Sequence, residues 1–291
     1  MTKLLSDIGK TLLSGMAALV LFGCDDKQEE ITLANEQLAD MVFVAGGSFM
    51  MGDFGPTMGE HLPFSFEQDD KPLHKVTLDS FSMSKYRVTW KQYNRYLDIQ
   101  GKPKSKAYTR FKSYNESDSF SKFAGDSYPA AVLWQEAKDY CLWVGKVSGR
   151  KVDLPTEAQW EYAARSRGQF FIMANKDNIW HEDEEGENAS FAGSIEPVGS
   201  YPPNPLGLYD MMGNGFDWVN DWYASDYYQS SSEKNPTGPE KGDKKVLRGS
   251  GGKAYWNNPV ILRWSGDING DKKGAKIGYG FRCVVNEVSP L

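Results

Sequence analysis

The spacing of apolar positions predicts short strands, a few helices and long ordered loops. Residues 41–52 (MVFVAGGSFMMG) set two apolar runs either side of Gly46 and Gly47, which predicts a hairpin. Residues 72–87 alternate Val76, Leu78, Phe81 and Met83 with polar neighbours, slipping half a step near Ser80, which predicts strands with a bend. Thr89 precedes Trp90, and Gln92 stands three residues after Thr89. That is a capping box, opening a helix that reaches about Leu97. Residues 101–128 are rich in Lys and Ser and have no period, which reads as a surface excursion. Across 132–147, Trp134, Ala137, Tyr140, Cys141 and Val144 recur at three- and four-residue spacing, predicting an amphipathic helix with Cys141 on its buried side. Gly145 and Gly149 bracket its end. Thr156 and Gln159 make a second capping box, and the helix after it buries Trp160, Ala163 and Ala164.

Between these elements, residues 53–71 and 168–197 read as loops, the second carrying an acidic run at 182–187 that reads as a solvated face. The chain is organised around residues 204–223 (NPLGLYDMMGNGFDWVNDWY). Gly207, Gly213 and Gly215 alternate there with bulky residues and no helical spacing appears, so a compact loop feeding a strand is expected. Tyr209, Phe216, Trp218 and Trp222 are wedges that such a loop buries. Asn214 and Asp217 set two hard oxygen donors three residues apart, with Asp210 and Asp221 nearby. Residues 246–250, 261–264 and 279–285 read as closing strands. The fold class is α+β, in a single domain over residues 41–291.

The N-terminus reads as an address. Lys3 and Lys10 precede an apolar run over 11–22, too short to span a bilayer comfortably and suited to a secretory signal over residues 1–23. Leu21, Phe22, Gly23 and Cys24 resemble a bacterial lipobox, with Cys24 as the lipidated residue. Asp25 and Asp26 resemble an inner-membrane retention signal. The resemblance implies a periplasmic protein anchored to the inner membrane by Cys24, the outer membrane being the alternative. Residues 24–40 are polar and acidic and read as a tether.

The 291 residues are ample for a core, and an aromatic content of 13% argues against disorder. A net charge of −6 gives no basic patch for phosphate backbones, so nucleic acid is not an expected partner. Apart from Cys24, the cysteines are Cys141 and Cys283. The frequent burial of cysteine favours two buried thiols, while an oxidising compartment leaves a disulfide open. His61, His74 and His181 lie in separate segments, with no pair at metal-binding helical spacing. Gly249-Ser250-Gly251 lacks the strand–elbow–helix context of a nucleophile, and no phosphate-binding loop is present. The Asp267, Asn269, Asp271 run has Lys272 and Gly278 where a calcium loop needs Gly and Glu. Arg248, Arg263 and Arg282 read as structural ion-pair partners for Asp210, Asp217, Asp221 and Glu161.

Residues 204–223, the line DLPTEAQWEYAAR at 153–165, HKVTLDSFSMSKYRVTWKQYNRYL, Arg248-Gly-Ser and Gly280-Phe-Arg-Cys together resemble the formylglycine-generating-enzyme, or sulfatase-modifying-factor, domain family. The resemblance runs from about residue 41 to 285 and implies a variant of the C-type lectin fold with little regular structure. Enzymes of that family oxidise a substrate cysteine at a copper ion held by two cysteines shortly after the Arg-Gly-Ser strand, soft sulfur being suited to Cu(I). Here residues 248–266 contain no cysteine, and the two positions fall near Pro259 and Trp264, so copper is not expected. The resemblance also implies a calcium ion at Asn214, the Gly215 carbonyl and Asp217, with a second site at Asn188 and Ala189. The alternative is that Asn214 closes a turn and Asp217 pairs with an arginine. The expected function is a non-catalytic periplasmic lipoprotein that binds a protein partner, with Trp180, Tyr255 and Trp256 as contact candidates. An immunity or regulatory role in a secretion or toxin system fits. The alternative is a metal-dependent oxidoreductase with a rearranged site.

Overall fold

Local capping sets the helices, and long-range pairing sets the sheets. The computed structural model describes residues 27–115, 121–178, 195–250, 260–270 and 274–291. The first helix, α1, covers residues 27–39. Helix α2 (Trp90–Ile99) opens on the predicted box: the Gln92 amide donates to Thr89 Oγ1 at 3.3 Å and the Thr89 amide donates to Gln92 Oε1 at 2.9 Å. Helix α3 is Lys106–Lys112, α4 is Trp134–Ser148, ending on left-handed Gly149, and α5 is Glu157–Ala164, opened by Thr156 and Gln159.

The strands are β1 (Met41–Val44), β2 (Gly47–Met51), β3 (His74–Leu78), β4 (Phe81–Ser84), β5 (Val152–Asp153), β6 (Gly215–Trp222), β7 (Lys244–Ser250), β8 (Trp264–Asp267), β9 (Tyr279–Gly280) and β10 (Val284–Val285). They form a sheet in the order β1-β4-β10-β5, a β2-β3 pair, and a sheet in the order β8-β7-β6-β9. One apolar cluster packs α2, α3 and α4 around Trp90, Tyr93, Tyr140 and Phe281. A second joins Phe49, Phe81, Trp160 and Val246 beneath α5 and the β2-β3 pair.

Five expectations are corrected. Residues 41–52 are not a hairpin: β1 pairs with β4 and β2 with β3, because Gly46 is wedged against the β3–β4 bend, where an added Cβ would lie 2.5 Å from the Leu78 carbonyl. Residues 101–128 hold α3, whose Ala107 and Phe111 are buried; a helix this short shows too few periods to stand out. Residues 27–39 are not tether. Leu33 and Ala34 are fully buried, the Tyr140 hydroxyl donates to Gln37 Oε1, and Arg95 pairs with Glu29 and Glu36. Cys141 and Cys283 are not free thiols: α4 packs on the segment before β10 with the two Cα atoms 5.6 Å apart, and the pair is a disulfide. The last two closing strands are also placed differently from expectation. β8 begins only at Trp264, and residues 281–283 cross from the sheet of β9 to that of β10.

Candidate functional site

The 204–223 stretch folds as a loop entering β6. Its Asp217 is fully buried and accepts from three side chains of the core: Arg87 Nε at 2.8 Å on Oδ1, and Arg282 Nε at 2.9 Å with Trp160 Nε1 at 2.8 Å on Oδ2. Burial pushes its carboxyl up, but Arg282 and Arg87 outweigh this and hold it below the ordinary Asp range. Asn214 faces elsewhere. Its Oδ1 accepts from the Glu196 amide at 2.8 Å and its Nδ2 donates to the Glu196 carbonyl at 3.2 Å. The Gly215 carbonyl accepts from Arg87 Nη2 at 2.7 Å. Asn214, Gly215 and Asp217 are therefore brought together around Arg87. Both parts of the alternative are present: Asn214 closes a turn onto Glu196, and Asp217 pairs with an arginine.

Behind this lies a buried chain of alternating charge. Arg165 meets Glu161 at 2.7 Å, Glu161 meets Arg248 at 2.9 Å, Arg248 meets Glu157 at 2.9 Å, and Glu157 meets Arg263 at 2.7 Å. Burial alone would raise the Glu157 carboxyl, but Arg263 and Arg248 hold it low. Arg248, Arg263 and Arg282 are structural, as expected. Sequence reasoning singled out neither Glu157 and Arg165 in this chain nor Arg87 on Asp217. The spacing of Glu157, Glu161 and Arg165 by four was the available signal, but it is equally the signature of an exposed helical pair.

Beside Arg263 opens a cleft of about 380 Å³, lined by Ser65, Phe66, Glu67, Asp69, Tyr223 and residues 262–265. Trp264, the position the resemblance gives to one copper cysteine, forms part of its wall and packs edge-on against Phe216. The Tyr223 hydroxyl donates to Asp69 Oδ2 at 2.7 Å, while Asp69 Oδ1 has no hydrogen-bond partner among the described residues. Arg263 donates to the Asp69 carbonyl at 2.6 Å, fixing the loop to the floor. At the rim Phe66 is 91% exposed and Trp264 is 40% exposed. Phe66 was not anticipated, because residues 53–71 were read only as a loop. Cys24, Trp180, His181, Asn188, Ala189, Tyr255, Trp256 and Pro259 lie outside the described residues.

Among the described residues both cysteines are joined to each other, and no group of three His, Cys, Asp or Glu side chains is arranged to hold a metal. The described residues do not fit a thiolate copper site.

A mixed fold with an Arg-Gly-Ser strand, an Asp217-centred loop and a cleft at Trp264 defines the class. The profile "Sulfatase-modifying factor enzyme 1-like domain" matches residues 27–287, and the chain belongs to that family. It is 34% identical over 260 residues to "Serine/threonine-protein kinase pkn1" of Chlamydia pneumoniae, covering 86% of this chain and 38% of that protein. The chain thus spans well under half the length of that relative. It is 28% identical to the formylglycine-generating enzyme of Streptomyces coelicolor, over 84% of this chain and 88% of the enzyme. Among solved structures it resembles PvdO from Pseudomonas aeruginosa, with a TM-score of 0.63, 26% identity, and 85% and 94% of the two chains covered.

Proposed function

We propose that this chain is a non-catalytic recognition module of its family, carried on a periplasmic lipoprotein, which binds a protein partner at the cleft flanked by Phe66, Tyr223 and Trp264. One observation carries the reading: the positions that would supply copper thiolates are Pro259 and Trp264, and the domain's two cysteines are consumed in a disulfide with each other. Exposed aromatic residues over a firmly held floor are the kind of anchor that protein interfaces use. The buried disulfide supports an oxidising compartment, as does the signal-like segment ending at Cys24. An anchored binder without redox chemistry suits an immunity or regulatory role in a secretion or toxin system. The kinase named among the relatives is a longer protein, and its activity is not carried over. The alternative, an oxidoreductase with a rearranged metal site, has no comparable ligand set in its favour among the described residues.

Two measurements on the detergent-purified full chain test this. With a cysteine-bearing peptide, copper and oxygen, hydrazide labelling should detect no aldehyde; catalytic aldehyde formation would refute the proposal. In crosslinking from periplasm, Phe66→Ala and Trp264→Ala should each weaken capture of the partner by about tenfold with unchanged thermal stability. Equal capture by both variants would remove the cleft from the reading.

A further inference from the structure

We infer that Arg87 is a built-in cation standing where a bound metal ion would otherwise sit, so that the turn entering β6 needs no divalent ion. Gly213, Asn214 and Gly215 have φ of 87°, 54° and 107°, three consecutive left-handed residues. They turn three successive carbonyls toward one point, and the Arg87 guanidinium fills it. Nη1 donates to the Gly213 carbonyl at 3.2 Å and to the Asn214 carbonyl at 2.6 Å. Nη2 donates to the Gly215 carbonyl at 2.7 Å, and Nε to Asp217 Oδ1 at 2.8 Å. Three carbonyls and a carboxylate converging on a buried point are the donor set of a hard cation. The flat guanidinium meets all four with its own N–H groups and one positive charge.

The surroundings are cut to the side chain. A Cβ on Gly249 would come within 3.3 Å of Nη2, and one on Gly280 within 3.3 Å of the Arg87 Cδ. Arg87 is 1% exposed, so its bonds are screened from water. The charge of Asp217 is met without a metal. Arg282 takes its other oxygen, while burial pushes the nearby Asp210 carboxyl up against the weaker pull of both guanidiniums. A divalent ion at the same point would meet two buried arginines and would have to expel one. The device holds the turn from which β6 carries Asp217 and leads on to Tyr223 at the cleft.

The test compares the full chain in EGTA and in calcium, by thermal unfolding and by metal content from plasma mass spectrometry. The expected result is no stoichiometric calcium and the same Tm in both. A Tm that falls in EGTA and returns with calcium would overturn the inference. Arg87→Ala bares the donor set, so this variant should melt lower than the wild type in EGTA. Calcium should then raise its Tm by about 5 °C at saturation, and magnesium, which demands a tighter octahedron, should not. A folded Arg87→Ala protein indifferent to calcium would overturn the claim that the guanidinium occupies a cation position. If that variant does not fold, the wild-type pair of measurements decides by itself.

Discussion

Asp221 is 2% exposed and accepts from the Glu157 amide at 2.8 Å, in the first turn of α5. Burial, then the charge of Glu157, pushes its carboxyl up to about 8. Its folded pKa lies above its unfolded one, so the stability it contributes is full below the ordinary Asp range and is lost as pH rises toward 8. Asp221→Asn keeps an oxygen for the Glu157 amide and removes the charge. It should be more stable than the wild type at pH 8 by roughly 1–3 kcal/mol, and the gain should shrink toward pH 4 in urea unfolding. Asp217 and Glu157 behave oppositely. Their pKa values are lowered, so their contribution is present above the ordinary carboxylate range and lost as pH falls through the folded values. Sequence showed that these acids and arginines exist and that ion pairing would account for the arginines. It could not show which pair with which, because Arg87 and Asp217 meet across 130 residues and Arg263 and Glu157 across 106.

At the scale of elements, legibility followed locality. The capping boxes of α2 and α5 were readable because each is closed by side chains three residues apart. The amphipathic α4 was readable because its stripe repeats over four turns. Helix α1 was not, since its polar residues look solvent-bound until Arg95 is brought to Glu36, and Ser84 and Tyr140 to Gln37, from far along the chain. Leu33→Ala should destabilise the protein by about 3 kcal/mol, since it leaves a hole in a fully buried site. A solvent-exposed tether would show no change, so chemical denaturation separates the two descriptions. Strands β1 and β2 were legible as strands but not as partners, because pairing depends on where the β3–β4 bend lies in space.

At the scale of the molecule, the Cys141–Cys283 bridge joins the helical cluster to the last crossing between sheets, closing a separation of 142 residues. Replacing both cysteines with Ala should lower stability by about 2–5 kcal/mol, read from denaturant midpoints. The overall class was legible because short motifs fall in family order along almost the whole chain. The cleft was not, because its walls come from residues 65–69, 223 and 262–265, which no single window contains.

The loop that carries Phe66 is braced from within. Asp53 accepts from the amides of Gly55, Phe64 and Ser65 at 2.9, 3.1 and 3.2 Å, and Lys71 donates to the carbonyls of Ser65 and Glu67. Backbone so firmly tied has little disorder left to surrender when something docks on Phe66, and what this loop still loses is the rotamer freedom of the exposed ring. Association there should behave like a key meeting a finished lock, with most of any entropy loss falling on the incoming molecule.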